Sequence, residues 1–173
     1  MNEIIDLLKK GESETVEFKS SLSQMGEIIK SISAFSNTKG GRILIGVSDK
    51  GKVLGVDVGK RTIESLANMI KQNTDPIVYP SIYVEKINDK RVVIIEVNEG
   101  KQKPVLASGR AYRRVGKSNQ KLGYEKIRNL VLEASKVYWD EIICEEADLK
   151  DIDKDKIRWY LERREEKYKT IWF

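Results

Sequence analysis

The sequence predicts an α+β fold in which helices flank a mixed, mostly antiparallel sheet and a C-terminal helical appendage follows. Two observations indicate this class. Segments with helical spacing of apolar residues are interleaved with short strand-like segments, in the order α-β-α-β-β-α-β-β-β-β-α. Two pairs of the short segments are separated by tight polar turns, which is typical of antiparallel hairpins. A chain of 173 residues is long enough for one well-buried core.

The five predicted helices carry apolar residues three or four positions apart, a spacing that places them on one face. They cover residues 2–10, 24–37, 61–73, 124–135 and 153–168. Gly11 ends the first helix, and Ser23 is the expected N-cap of the second. All three tryptophans and seven of the thirteen aromatic residues lie within 138–173. We therefore predict a main domain over 1–136 and a helical, aromatic extension over 137–173.

The predicted strands are short and rich in β-branched residues. They cover residues 14–19, 42–47, 53–56, 81–87, 91–97, 104–107 and 110–115. The segment 42–47 is almost entirely apolar, which predicts a central strand that is covered on both faces. In the first strand, Val16 and Phe18 alternate with Glu17 and Lys19. This alternation predicts that the two apolar side chains enter the core while the acid and the lysine stand outside it.

Composition excludes several classes of active site. The chain has no histidine, so Ser-His-Asp and Cys-His nucleophile systems are excluded, as is the paired-histidine chemistry of metal-free ribonucleases. The one cysteine, Cys144, excludes an intramolecular disulfide and multi-cysteine metal sites, and we interpret it as structural. Hydrolytic chemistry would have to use carboxylates, lysines and a hard metal ion such as Mg²⁺ or Mn²⁺.

Hydropathy gives no indication of a membrane partner. No apolar run approaches the roughly 20 residues that cross a bilayer. The N-terminus lacks the basic start and the apolar stretch of a signal peptide. We therefore expect a cytoplasmic protein.

Positive charge is concentrated in one window of the chain. The net charge of the whole chain is +5, yet residues 110–128 alone carry seven basic residues and one acid, a net charge of +6. Such a cluster indicates a polyanionic partner such as nucleic acid, and the alternative interpretation is a solvated basic face. The predicted nucleic-acid-binding residues are Arg110, Arg113, Arg114, Lys117, Ser118 and Lys121. Arg113 and Arg114 have opposite facings on a strand, whereas the last three are expected in the loop beyond it.

The segment from Gly11 to Lys19 is the main candidate for chemistry. Glu17 and Lys19 are predicted on the same face of a strand. A metal-dependent phosphodiesterase needs a carboxylate that holds a divalent cation and a cation that offsets charge on the phosphate. The alternative interpretation is an exposed edge strand with ordinary surface charge.

Four segments stand in a fixed order within about residues 11–132. They read ESETVEFK at 12–19, ISAFSNTKGG at 32–41, ILIGVSDKGKVLG at 43–55 and YRRVGKS at 112–118. On these segments the chain resembles the Schlafen-type divergent AlbA domain. That family is found in prokaryotic proteins labelled transcriptional regulators or helicase-related, and in the core of animal Schlafen proteins. Some of the animal proteins are metal-dependent endoribonucleases that cut tRNA and rRNA with three acidic residues.

The resemblance implies that the three acids are Glu12, Glu17 and Asp49, which would hold one or two Mg²⁺ or Mn²⁺ ions while Lys19 assists. Glu12 must then lie in a turn before the strand, which Gly11 permits, and Asp49 in a turn after the central strand. The animal Schlafen core contains two related lobes, whereas this chain has material for one. We therefore expect a homodimer, with the aromatic extension as a candidate interface.

The leading hypothesis is a nucleic-acid-binding domain with metal-dependent endoribonuclease activity on structured RNA such as tRNA. A-form RNA is read largely through its shape and backbone, which suits a basic surface. The alternative is a DNA-binding transcriptional-regulator module without catalytic activity, whose acids are structural. A third hypothesis is a scaffold whose basic patch and aromatic extension bind protein. RNA is the favoured partner, and DNA stays open as the second.

Overall fold

The computed structural model describes residues 2–135 and 148–169, and the predicted α+β class is confirmed there. The described helices are α1 (Asn2–Lys10), α2 (Met25–Ser36), α3 (Thr62–Asn73), α4 (Tyr124–Ser135) and α5 (Lys154–Lys169). The described strands are β1 (Val16–Lys19), β2 (Gly41–Ile45), β3 (Thr74–Asp75), β4 (Ser81–Ile87), β5 (Lys90–Val97), β6 (Leu106–Ala107), β7 (Arg110–Val115) and β8 (Ser118–Lys121).

These strands form two four-stranded sheets, where the sequence predicts one. The first sheet has the order β1-β2-β5-β4. Its β1 and β2 are parallel, because α2 provides the crossover between them, and its other two pairs are antiparallel. The second sheet is antiparallel throughout, in the order β3-β6-β7-β8. Two of its strands, β3 and β6, are only two residues long, so they leave no alternating pattern in the sequence.

The first sheet is covered on both faces, as the apolar character of β2 predicts. Ile43 and Ile45 pack with α2 and α3, whereas Leu44 packs on the opposite face with α1. Val16 and Phe18 of β1 are buried in this second cluster, as predicted. Burial of this apolar area is the main favourable contribution to folding of the domain.

Helix α2 lies between the two sheets because its polar side binds the second one. Asn37, the residue that follows α2, donates from Nδ2 to the carbonyls of Val105 (2.8 Å) and Tyr112 (2.9 Å) and accepts the Val105 N–H on Oδ1 (2.7 Å). Ser33 Oγ donates to the Val105 carbonyl at 2.7 Å and accepts the Tyr112 N–H at 3.2 Å. These bonds pair backbone N–H and C=O groups that are buried and therefore cannot bond to water.

Two details near α2 and β2 differ from the prediction. Ser23 does not cap α2: the N-cap is Gln24, without a side-chain cap bond, and Ser23 Oγ lies 3.0 Å from Ser21 Oγ. Residues 53–56 form a single bridge, from Val53 to Val47, instead of a strand. The reason is Gly46, whose φ is +99° and whose carbonyl accepts two successive N–H groups from residues 54 and 55, so the chain turns sharply there.

The chain divides into two compact units, residues 1–136 and 137–173. In the second, a 3-10 turn precedes α5, and the Arg163 guanidinium lies 4.4 Å from the centroid of the Trp159 ring. Cys144, Trp139 and Trp172 lie outside the described residues. Among the described helices, none combines the length and the apolar character needed to cross a bilayer.

Replacement of Asn37 with Ala should lower the free energy of unfolding by about 3 kcal/mol. It removes the three hydrogen bonds to the backbone of Val105 and Tyr112 and leaves the buried Val105 N–H without a partner, and such groups cost about 1–3 kcal/mol each. Urea denaturation followed by circular dichroism measures the change. Asn98→Ala at an exposed position is the matched control, with an expected effect below about 0.5 kcal/mol. Equal effects of the two variants would contradict the role assigned to Asn37.

Candidate functional site

Glu17 is buried against the second sheet, although the sequence predicts it outside the core. Its side chain is only 6% exposed. Oε1 accepts a hydrogen bond from Lys19 Nζ at 2.5 Å, and Oε2 forms an ion pair with Arg114 Nη1 at 2.5 Å. The Ser31 hydroxyl of α2 lies 3.4 Å from Oε1. Each carboxylate oxygen therefore already contacts a cation.

Arg114 is held in the interior by several acceptors. Its Nε and Nη2 donate to the Ser13 carbonyl at 3.1 and 2.8 Å, and Nη2 also donates to the Val16 carbonyl at 3.0 Å. Nη1 donates to Asn119 Oδ1 at 2.9 Å, and the guanidinium lies 5.2 Å from the centroid of the Phe35 ring. With 1% of its side chain exposed, Arg114 cannot belong to a nucleic-acid-binding surface as predicted. It supplies donors to carbonyls at the free edge of β1 instead.

The three predicted metal ligands occupy different environments. Glu12 Oε1 accepts the backbone N–H of Phe18 at 3.0 Å. Glu17 contacts two cations, and Asp49 is exposed in the turn that follows β2. Within residues 2–135 and 148–169, no three acidic or cysteine side chains lie together in a way that could hold a metal ion. This arrangement does not fit Mg²⁺ or Mn²⁺, and metal binding by these acids stays a prediction.

Six cations of the window 110–128 are exposed. They lie on β7, in the β7–β8 turn, on β8 and on α4, and we call them the basic surface: Arg110, Arg113, Lys117, Lys121, Lys126 and Arg128. In the part of the chain that the structure describes, none of the six forms an ion pair. Unpaired cations close together on a surface produce a potential that attracts polyanions.

The β7–β8 hairpin presents cations on both of its faces. Its register pairs Tyr112 with Lys121 and Arg113 with Gln120, so Lys121 and Arg113 point in opposite directions. Ser118 and Lys121 lie on a strand, β8, and not in the predicted loop, although both are exposed. Because β8 is the outermost strand of its sheet, a long polyanion can reach both faces of the hairpin.

Arg113 also lines a cleft of about 380 Å³, but this cleft is close to electrically neutral. Lys103 Nζ lies 2.5 Å from Glu99 Oε1, and Lys39 Nζ lies 3.8 Å from Glu14 Oε2. These acids compete with a phosphate for the lysines. The hairpin and α4 are therefore better placed than the cleft to bind a polyanion.

The segments of this fold that carry β1, α2, β2 and the β7–β8 hairpin are also matched by a protein-family model. The chain belongs to the Schlafen AlbA_2 family, whose model matches residues 12–123. The predicted resemblance is therefore confirmed. The matched region includes β1, α2, both sheets and most of the basic surface. A search of the curated proteins found no match.

Solved structures share this fold. The DIP2311 protein from Corynebacterium diphtheriae is 21% identical, with a TM-score of 0.58 over 70% of this chain and 24% of that one. This chain thus spans only a part of that protein's length. The N-terminal domain of a protein from Nitrosomonas europaea, described as related to the ATP-dependent DNA helicase RecG, is 26% identical. Its TM-score is 0.50, over 70% of this chain and 92% of that one.

Replacement of Arg114 with Ala should lower the free energy of unfolding by about 3–5 kcal/mol. The reason is that Glu17 would keep a buried charge after losing one of its two cations, and removal of one partner of a buried pair typically costs this much. Arg113→Ala, one position earlier and exposed, is the matched control and should change the free energy by less than about 0.5 kcal/mol. Guanidinium denaturation measures both. Coincident unfolding curves of Arg114→Ala and Arg113→Ala would show that Arg114 does not join β1 to the second sheet.

Proposed function

We propose that this domain binds nucleic acid through the basic surface, by contacts to the phosphate backbone. The observation that carries the proposal is the set of six exposed cations with no ion pair among the described residues. Each phosphate that such a cation neutralises releases condensed counterions, which favours binding at low salt. The similarity to a domain from a protein described as related to a DNA helicase supports a nucleic-acid partner.

Structured RNA such as tRNA is the substrate class that we favour. A-form RNA is recognised through its shape, its phosphates and its 2′-hydroxyls, and the basic surface offers lysines and arginines for these contacts. Duplex DNA is the second possibility, because a two-stranded ribbon such as β7–β8 can enter a major groove. In that case the domain would act as a regulatory DNA-binding module.

The double substitution Lys117→Ala, Lys121→Ala should weaken binding to tRNA and to duplex DNA alike. Because each lysine is assigned one phosphate contact, the slope of log affinity against log salt should decrease in magnitude by about 1 per lysine. Fluorescence anisotropy over a salt series measures this slope. Lys86→Ala is the matched control, since Lys86 is exposed on β4 and already paired with Asp89 at 2.7 Å. An unchanged slope in the double variant would count against the basic surface.

Metal-dependent endoribonuclease activity is the second candidate function. The acids that the family resemblance implies are all present. Glu17 lies on β1, and Glu12, which precedes this strand, accepts the N–H of the neighbouring Phe18. Since Glu17 already contacts Lys19 and Arg114, a metal ion could bind it only if one of these cations moved. Cleavage therefore stays a proposal that is separate from binding.

Asp49→Asn provides the sharpest test of cleavage, because Asp49 is exposed and its replacement leaves the ion pairs of Glu17 intact. If the domain is a nuclease, tRNA should be cut with Mn²⁺ but not with EDTA, and the variant should lose most of this activity without losing affinity. Asp6→Asn, exposed on α1, is the matched control. Tight binding by the wild type without any cutting would support the alternative, a nucleic-acid-binding module without catalytic activity. Cutting that survives in Asp49→Asn would exclude Asp49 from the site.

The homodimer predicted from the single lobe also stays a proposal. The described part of the extension, residues 148–169, includes α5, on which Ile157, Tyr160 and Leu161 are exposed. Spacing by three or four residues places these three side chains on one side of the helix.

A further inference from the structure

We infer that Tyr124 is a stacking platform for an unpaired nucleotide base. The inference rests on the proposed function and adds a substrate class to it: nucleic acid that has bases outside a duplex. Tyr124 is 81% exposed, more than any other large apolar or aromatic residue in the parts of the chain whose side-chain exposure the structure describes. It is the first residue of α4, directly after the β7–β8 hairpin that carries much of the basic surface.

The backbone on both sides of Tyr124 is firmly held. Leu122 is buried with Ala111 and Leu130, and its N–H donates to the Ala111 carbonyl at 2.9 Å. The Gly123 carbonyl accepts the N–H of Ile127 at 3.0 Å, which closes the first turn of α4. The exposed ring therefore stands on a rigid base. A ligand that stacks on it does not have to order a flexible loop, so this part of the protein adds little to the entropic cost of binding.

No described residue covers the Tyr124 ring. Neither a hydrogen bond nor a ring–cation contact joins it to another residue of the described chain. A single exposed aromatic residue on a protein surface is common and would carry no inference alone. What distinguishes Tyr124 is the charge around it.

A second exposed tyrosine shows the contrast. Tyr79 is 76% exposed, but the chain has no lysine or arginine from residue 72 to residue 85. Tyr124 instead lies three positions after Lys121 and one helical turn before Arg128, both of which are exposed. Residues four apart on a helix share a face, with about 5–6 Å between their Cβ atoms. The surface thus offers a flat aromatic ring beside a free cation, which matches the base and the phosphate of one nucleotide.

Stacking on a tyrosine accepts any base, because every base has a π face. It requires a base that is not already stacked within a duplex, such as one in a loop, a bulge or a single strand. Tyr124 would therefore favour unpaired nucleotides, whereas the six cations attract any phosphate backbone. This combination suits a structured RNA with exposed loops better than a continuous duplex.

The test compares three labelled probes of one sequence: a short single-stranded RNA, the same strand as DNA, and a blunt duplex. Anisotropy is measured with the full 173-residue chain. Tyr124→Ala should lower the affinity for both single strands by about tenfold or more and leave the duplex affinity unchanged. Tyr124→Phe keeps the ring and should bind as the wild type does. Tyr79→Ala is the matched control and should change nothing. Circular dichroism verifies that each variant is folded.

Two results would overturn the inference. One is an unchanged affinity of Tyr124→Ala for single strands, and the other is an equal loss for single strands and duplex. In both cases the phosphate contacts of the basic surface would still stand. If the wild type binds none of the three probes, the proposed function fails as well, so the two failures are distinguishable. A loss confined to one of the two single strands supports stacking and identifies the preferred sugar.

Discussion

A charge pair buried at the edge of β1 unites the two sheets of this domain. Arg114 comes from the second sheet, Glu17 from the first, and both side chains are almost fully enclosed. A buried pair costs much desolvation free energy, and it is tolerated only when its remaining donors and acceptors are satisfied. Here the guanidinium reaches two backbone carbonyls and the Asn119 side chain, while the carboxylate also contacts Lys19. Such a set specifies one relative placement of the sheets.

The same pair limits what chemistry this region can perform. Glu17 already serves as the counter-ion of two cations, so a divalent metal could bind it only if one of them moved. Two parts of the domain therefore differ in their electrostatic character. The edge of β1 is electrically compensated and buried, whereas the six cations of the basic surface are exposed and form no ion pair among the described residues. The second part has the properties that recognition of a polyanion requires.

Much of the fold could be predicted from local patterns, and the exceptions have physical reasons. The apolar run of β2 predicts its burial directly, and so does the alternation of Val16 and Phe18 with polar residues in β1. The alternation also gives the facing of Glu17, but it does not reveal that a second sheet covers that face. Likewise, opposite facings were predictable for Arg113 and Arg114, but which of them is buried depends on the distant β1. One signal of this second sheet was present in the sequence. Outside its apolar stripe α2 carries small serines, at 31, 33 and 36, and all three are buried, whereas a helix with a single buried face exposes these positions.

The hydrogen bonds from Arg114 and Glu12 have a consequence for association between chains. They occupy the Val16 carbonyl and the Phe18 N–H on the outer side of β1, so another strand cannot easily add there. In the first sheet, β4 is the opposite outer strand, and it runs for seven residues beside β5 alone. Any continuous sheet built from the first sheets of two copies would therefore have to form through β4, in an antiparallel, symmetric pairing.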